Sequence, residues 1–231
     1  LNSRFGPFCI VTSGLIENSE DLTEELLSKG ISFSEMRDGS VNVTELIAKL
    51  INQGKDIVDG IERMFQAIEG SCSLLLLNRD GIYAARDRLG YTPLVVGRSG
   101  DTWAVASETS AFPNNGIASF KELAPGEIVL INADGLLNKR GGGDVNQICT
   151  FLWIYTGFPA SNYEGINTET VRERCGRAMA RKDKDIEVDL VSGIPDSGLA
   201  HGLGYAIESG KPFRRPLVKY PPGYGRSYTP P

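Results

Sequence analysis

The 231-residue chain has a single histidine, His201, and four cysteines that lie far apart with no CxxC pair. Zinc sites of the tetrahedral kind draw on closely spaced Cys and His ligands, so no metal site is readable here. Cys9 and Cys72 sit in apolar runs, FCIV and CSLLLL, and read as buried core. LNSRFGPFCIVTSG shows no secretion signal, so free thiols in a reducing cytoplasm are expected. Any Ser-His-Asp or Cys-His triad would have to use His201, which instead reads as a partly exposed helix residue. No apolar run reaches the ~18 residues of a membrane span. The 27 glycines and 12 prolines stay short of the ~25–30% that marks low-complexity disorder. Positive charge is in deficit: 24 Lys and Arg against 29 Asp and Glu leave a net charge of −5, which argues against nonspecific nucleic-acid binding.

What is present suits a folded, layered protein. Hydrophobic residues make up 41% of the chain, enough for a buried core. GPFCIVTSG predicts a strand ending at a glycine turn. ENSEDLTEELLSKG predicts a helix capped by Asn18 or Ser19 and stopped by Gly30. A second helix is capped near Asn42 or Thr44, and a third carries Ile57, Ile61, Met64, Phe65 and Ile68 at helical spacing. After Gly70 the pattern changes to short strands, with a hairpin around Asn78–Gly81 and further turns at SGD and ADG. Residues 1–140 therefore read as an α+β block, helices followed by an antiparallel meander. A junction covers 141–166, opening on the flexible GGGD. Residues 167–231 read as helix, strand, loop, helix and strand, the opening of a parallel-sheet α/β domain. Two strands and two helices make a poor core alone, so more sequence, a partner copy or close packing on the first block is expected.

Three loops carry candidate chemistry. In VSGIPDSGLAHG a buried strand, Val188 to Val191, runs into Pro195-Asp196-Ser197-Gly198 and a helix follows. Backbone N–H groups at a helix start favour an anion, and the carboxyl end of a strand in an open α/β sheet is where ligands bind. The same residues suit an ordinary helix capped by Asp196 or Ser197, and the loop alone leaves both readings open. In LVKYPPGYGRSY, Lys219 and Arg226 flank a Pro/Gly/Tyr stretch that could fold over a polyanion or could be a solvated end. Arg86, Asp87 and Arg88 read as a charge-paired turn into a strand.

The order of these motifs resembles a known family. DGIYAARDRLGYTPLVVGR, WAVASETSAF and LAPGEIVLINADG, in that order, resemble the second half of a class-II glutamine amidotransferase domain. CTFLWIYTGFPASNYEGI followed by VDLVSGIPDSGLAHGLGYAIESGKPFRRPLVKYPPGYGRSYTPP is similar to the junction and first part of the phosphoribosyltransferase domain in the amidophosphoribosyltransferase family. The resemblance implies an α+β sandwich of the N-terminal nucleophile hydrolase type followed by the start of an α/β type I phosphoribosyltransferase domain. It implies a cytoplasmic homo-oligomer that makes phosphoribosylamine from glutamine and phosphoribosyl pyrophosphate in purine biosynthesis, with Mg²⁺ accompanying the pyrophosphate substrate. Asp196, Ser197 and Gly198 match the loop that holds the pyrophosphate. Lys219, Tyr224, Gly225 and Arg226 match the mobile loop that closes over it. Phe151 and Tyr155 match ring positions lining the glutamine pocket.

The departures from the family pattern are specific. The family nucleophile is an N-terminal cysteine, and Leu1 is not that residue, so no catalytic residue is assigned. His-Asn-Gly becomes Thr12-Ser13-Gly14, which removes an oxyanion-hole side chain whose loss typically costs ~10²–10³ in rate. Ser-Asp-Thr-Glu becomes Asn42-Val43-Thr44-Glu45, and Val43 cannot bind the ammonium group of glutamine. Leu152 stands where the family has Glu, and Tyr220-Pro221-Pro222 stands where it usually has an Asn-Arg pair. The loop for the ribose hydroxyls and 5′-phosphate is absent from these residues. Cys149 is the one candidate ligand for the iron–sulfur cluster of some members, and one scattered cysteine argues against a cluster. These residues predict an impaired or altered glutaminase site on a chain that is longer at both ends. The alternatives are a non-catalytic binding or regulatory module and an ammonia-dependent phosphoribosyltransferase.

Overall fold

A computed structural model describes residues 2–34, 36–37 and 40–219. The chain divides into two compact units, Leu1–Cys149 and Thr150–Pro231. The junction drawn from the sequence at 141–166 is thus shared between them.

In the first unit, β1 (Cys9–Ile16) leads into three helices, α1 (Ser19–Ser28), α2 (Val43–Ile51) and α3 (Ile57–Ala67). Asn42 caps α2 by accepting from Thr44 N and Glu45 N, and Asp56 caps α3 by accepting from Asp59 N. Asn18 precedes α1 but does not cap it with its side chain. Its amide instead accepts from Glu69 N at 2.9 Å and donates to Ala67 O at 3.0 Å, fixing the end of α3.

The expected hairpin forms from β2 (Gly70–Asn78) and β3 (Gly81–Ala85), with Asn78 opposite Gly81. The meander continues through β4 (Val95–Ser99), β5 (Thr102–Ala106), β6 (Ala118–Glu122), β7 (Ile128–Asn132) and β8 (Gly135–Arg140). Strand β6 was not foreseen, because ASFKE lacks an alternating apolar pattern. These strands build a five-stranded antiparallel sheet in the order β8-β7-β3-β2-β1 and a three-stranded sheet in the order β6-β4-β5.

Strand periodicity separates two cores. Cys72, Leu74, Leu76, Tyr83, Ala85, Ile128 and Leu130 face the helices, whose Leu46, Ile47, Ile51, Ile61 and Met64 are fully buried. Alternate residues on the same strands, Ala84, Val129 and Ile131, pack with Leu94, Val96 and Leu123 on the other face. Strand β1 obeys the same alternation at the sheet edge. Ile10 and Ile16 join the helix-side core, while Val11 and Leu15 are exposed. Cys9 shares their parity and is exposed, which corrects the expectation of a buried thiol. An apolar sequence run does not reveal which face of an edge strand is covered.

In the second unit, a π-helical turn over Leu152–Thr156 and a short ladder, Asn162–Tyr163 with Ile166–Asn167, precede α4 (Thr168–Lys182). Asn167 caps α4. The buried residues of α4 are Thr168, Arg172, Gly176 and Ala180, one every four positions. Helix α5 (Leu199–Ser209) crosses α4 at backbone contact. A Cβ on Gly176 would stand 1.9 Å from His201 O, and one on Gly204 would stand 2.0 Å from Glu173 O. The buried strand expected over Val188–Val191 is reduced to a single parallel bridge, Val191 with Phe213. Leu190 is exposed. A strand is stabilised by neighbours on its ladder, and only the 212–214 backbone is paired with this one among the described residues.

Candidate functional site

Strand β1 presents Thr12-Ser13-Gly14 at the sheet edge. Thr12 points to the helix side, where its hydroxyl meets that of Thr44 at 2.7 Å and ties the strand to the first turn of α2. Val43, the first residue of α2, is exposed and offers no charge. Glu45, in the same turn, is buried, and its two oxygens accept from Ser34 N at 2.9 and 3.0 Å. Lys49 lies 3.6 Å from that carboxylate. The turn thus holds a strand through one hydroxyl and a loop through one carboxylate.

Ser13 lies on the opposite face and directly opposite Ser73 of β2. Gly14 lets the two strands approach, since a Cβ there would sit 1.9 Å from Ser71 O. Ser73 is buried. Its hydroxyl donates to Thr92 O at 2.8 Å and accepts from Asp87 N at 3.0 Å. The Asp87 carboxylate in turn accepts from Leu89 N, Tyr91 N and Thr92 N at 3.1, 3.0 and 2.8 Å. Arg86, equally buried, donates to Leu123 O and Gly90 O, both at 2.6 Å. Both buried charges of the Arg86-Asp87-Arg88 turn hold backbone groups, the Asp87 carboxylate also accepting from Ser73 Oγ at 3.4 Å, and Arg88 is exposed. Cys72 is buried in the helix-side core; burial foremost, and the charge of the Asp87 carboxylate second, push its thiol up to about 12. It is a core residue with no nucleophile's character. Cys149 hydrogen-bonds to Tyr91, and this contact raises the tyrosine hydroxyl above its ordinary range.

The remaining predicted residues belong to the second unit. Phe151 and Tyr155 are one turn apart with ring centroids 5.3 Å apart, and both are exposed. Between them Trp153 is buried edge-on to Tyr163, its Nε1 donating to Ile166 O at 3.0 Å. Arg172 of α4 reaches this turn and donates to three of its carbonyls. Burial pulls the guanidinium below its usual value, with Glu169 partly opposing the shift.

The Ile194–Gly198 loop is drawn tightly onto the start of α5. Gly198 N donates to Ile194 O at 2.9 Å, and a Cβ on Gly193 would stand 2.3 Å from Gly198 O. Gly198 itself is the N-cap and no side chain caps the helix, so the reading of Asp196 or Ser197 as cap is corrected. Gly193, Gly198 and Gly202 bring backbone so close that the loop ends on the helix start without a side-chain acceptor. Asp196 lies 3.7 Å from Lys219, both side chains well exposed. His201 sits half-buried in α5, its Nδ1 3.2 Å from Ser197 O. Tyr224, Gly225 and Arg226 lie outside the described residues.

Three contributors escaped the sequence reading. Thr12 and Thr44 are distant in sequence and meet only through the packing of β1 on α2. The Ser73–Asp87 pair joins two strands in the same way. Arg172 left a faint signal: it interrupts an otherwise small-residue stripe at four-residue spacing on α4.

Comparison with known proteins agrees with this architecture. A family model described as a glutamine amidotransferase domain matches residues 1–114. The amidophosphoribosyltransferase of Bacillus subtilis is 32% identical over 217 residues, covering 93% of this chain and 44% of that protein. Its counterpart in Mus musculus is 33% identical over 237 residues, covering 93% of this chain and 46% of the relative. Among solved structures, glutamine phosphoribosylpyrophosphate amidotransferase from B. subtilis, complexed with ADP and GMP, superposes with a TM-score of 0.84 at 32% identity. It covers 97% of this chain and 48% of that one. A structure described as the allosteric regulatory enzyme of purine biosynthesis superposes with a TM-score of 0.83 at 31% identity. The chain spans about half the length of the curated relatives it matches. With the motif order, the N-terminal nucleophile type of amidotransferase fold and these likenesses in agreement, the chain belongs to the amidophosphoribosyltransferase family.

Proposed function

We propose that the protein acts as an amidophosphoribosyltransferase-type enzyme in purine biosynthesis whose glutamine site is altered, so that free ammonia is its better nitrogen donor. Transfer would form a bond between nitrogen and C1 of the ribose as the C1–O bond to pyrophosphate breaks. Pyrophosphate leaves with that electron pair, and the attacking nitrogen sheds a proton to water. The observation that carries this reading is the Ile194–Gly198 loop, which ends in a glycine-capped helix start with no side chain of its own on the first turn. In a chain of this family, those N–H groups and the Ser197 hydroxyl suit a pyrophosphate. Lys219, with Tyr224, Gly225 and Arg226 of the matching loop, would close over the same anion and neutralise it. Asp196 is the loop's only carboxylate, so Mg²⁺ would arrive as part of the substrate, held chiefly by phosphate oxygens. Glutamine chemistry is weakened by Ser13 and Val43. Ser13 is too short to replace an Asn amide in an oxyanion hole, and Val43 puts an apolar group where an ammonium would need a carboxylate.

Within this reading the protein is a cytoplasmic homo-oligomer. A type I phosphoribosyltransferase fold in the second unit is part of the same proposal, supported by the parallel Val191–Phe213 bridge across α5. Phosphoribosylamine-coupled turnover, measured with glutamine and separately with ammonium, tests it. Turnover with ammonium at least tenfold above that with glutamine is the expected result. Equal or better turnover with glutamine would overturn the altered site. Binding of Mg²⁺-phosphoribosyl pyrophosphate without turnover from either donor would leave a non-catalytic binding module.

A further inference from the structure

A π-helical turn is a costly element, because its wide ring stretches the backbone and leaves carbonyls at its end without partners. In the Leu152–Thr156 turn the wide ring is closed by Gly157 N donating to Leu152 O at 2.7 Å. A side chain at Gly157 would collide with that oxygen at 2.4 Å and with the Tyr163 ring at 2.8 Å, so the turn is closed at a position that tolerates only glycine. Three carbonyls at this end of the turn face Arg172: those of Trp153, Tyr155 and, just past the turn, Gly157.

Arg172 supplies all three. Its Nε donates to Trp153 O at 2.8 Å, and one Nη donates to Tyr155 O at 3.0 Å and Gly157 O at 2.8 Å. The side chain is 1% exposed and, among the described residues, forms no ion pair. A buried guanidinium without a carboxylate is expensive to retain unless its fixed fork of donors is fully used. Helix α4, which carries it, is seated on α5 by the glycine contacts at Gly176 and Gly204, so the donor fork is anchored to the rigid part of its unit.

We propose that Arg172 is a positioning residue: it locks the π-helical turn and thereby sets the orientation of the exposed Phe151–Tyr155 ring pair. Resting on the reading that these rings face glutamine, Arg172 governs how that pair is presented to ligand without touching ligand itself. A lysine could not do the same, since one ammonium on a flexible stem does not match three carbonyls held in a fork.

The test uses Trp153, which lies inside the turn. Trp103→Phe leaves it as the sole tryptophan, because the chain has two. In that background Arg172→Met is expected to raise acrylamide quenching of Trp153 at least twofold, with the far-ultraviolet helical signal kept. Arg172→Lys is expected to fall between Met and the parent. Trp153 as shielded in Arg172→Met as in the parent, with the protein folded, would overturn the proposal. Should Arg172→Met fail to fold, amide exchange on the unsubstituted protein decides. Trp153, Ile154 and Gly157 amides that exchange as slowly as those of α4 support the lock, and exchange as fast as that of the neighbouring 144–148 segment overturns it. Glutamine titration of the same proteins separates the two claims. Glutamine bound by the parent and weakened in Arg172→Met supports the ring pair facing glutamine, and glutamine bound equally by both counts against it, the Trp153 result standing on its own.

Discussion

Replacing Gly14 by alanine asks how much the edge strand depends on one missing methyl group. Built on the existing backbone, the new Cβ would stand 1.9 Å from Ser71 O, 2.7 Å from Ser71 C and 2.9 Å from Cys72 Cα. All three are backbone atoms of β2, so no rotamer change relieves the contact. Relief to an allowed separation needs β1 and β2 to part locally by about 1 Å, which stretches ladder hydrogen bonds of ~2.9 Å beyond useful length. Two such bonds at about 1 kcal/mol each, with overpacking strain of about 1–3 kcal/mol, give an expected loss of about 3–5 kcal/mol. Gly14 itself has φ +157°, so alanine there also meets conformational strain, and two controls separate that from the steric cost. Gly30 has φ +77° and open space, so alanine there meets only left-handed strain of about 1–2 kcal/mol. Gly141 has open space and no such φ, so alanine there is expected to be neutral or slightly stabilising. Urea unfolding followed by Trp103 fluorescence, in a Trp153→Phe background, reports the first unit, which contains all three glycines. With a slope of ~2 kcal/mol per molar urea, the Gly14→Ala midpoint should fall by roughly 1.5–2.5 M. A midpoint no lower than that of Gly30→Ala would refute the argument that close strand approach adds to backbone strain in making glycine necessary at position 14.

Asp87→Ala removes the acceptor for three backbone N–H groups in a buried turn and is expected to cost about 3 kcal/mol or more, with Asp87→Asn costing less; thermal unfolding measures both. The Cys72 thiol, held up at about 12 when folded against an ordinary value of 9.0, stabilises the fold fully below pH 9. Above that pH the unfolded chain loses the proton first, so this contribution falls by about 1.4 kcal/mol per pH unit until pH 12. The difference in unfolding free energy between the parent and Cys72→Ala, followed from pH 8 to 11, should show that slope, and a flat difference would contradict it. At pH 8 in the native protein a thiol reagent should modify exposed Cys9 and spare Cys72. Met64→Ala empties a fully buried core position and should cost about 2–5 kcal/mol in urea unfolding, whereas Met179→Ala, half-exposed on α4, should change stability by less than about 0.5 kcal/mol.

Local order was readable wherever chemistry between near neighbours decides it. The Asn42 and Asp56 caps, the 3.6-residue periodicity of α3 and the Asn78–Gly81 hairpin are all set by residues a few positions apart, and the structure shows each of them. The side-by-side exposure of Val11 and Leu15 was not readable, because alternation says which residues share a face but not whether that face is covered. Val188–Val191 failed as a buried strand for a related reason: a strand takes its hydrogen bonds from neighbours, which the local sequence does not name. Asn18 shows a third kind of miss, its side chain leaving its own helix to bind the end of another.

The candidate site divides along the same line. Its residue types and their order, Thr12-Ser13-Gly14, Asn42-Val43-Thr44-Glu45 and Pro195-Asp196-Ser197-Gly198, belong to the sequence, and so does the family they point to. The sequence alone also settled that Val43 carries no charge and that Ser13 is short, because those are properties of the side chains. Tertiary structure alone decided that Thr12 turns to Thr44 while Ser13 takes the exposed face opposite, since a strand sends consecutive residues to opposite faces and only packing identifies what waits there. It also decided that Asp87 and Arg86 bind backbone groups, and that Arg172, an arginine on a polar-looking helix, is buried against three carbonyls. A buried charge is placed by the partners that desolvation obliges it to find, and those partners are brought together only by the fold.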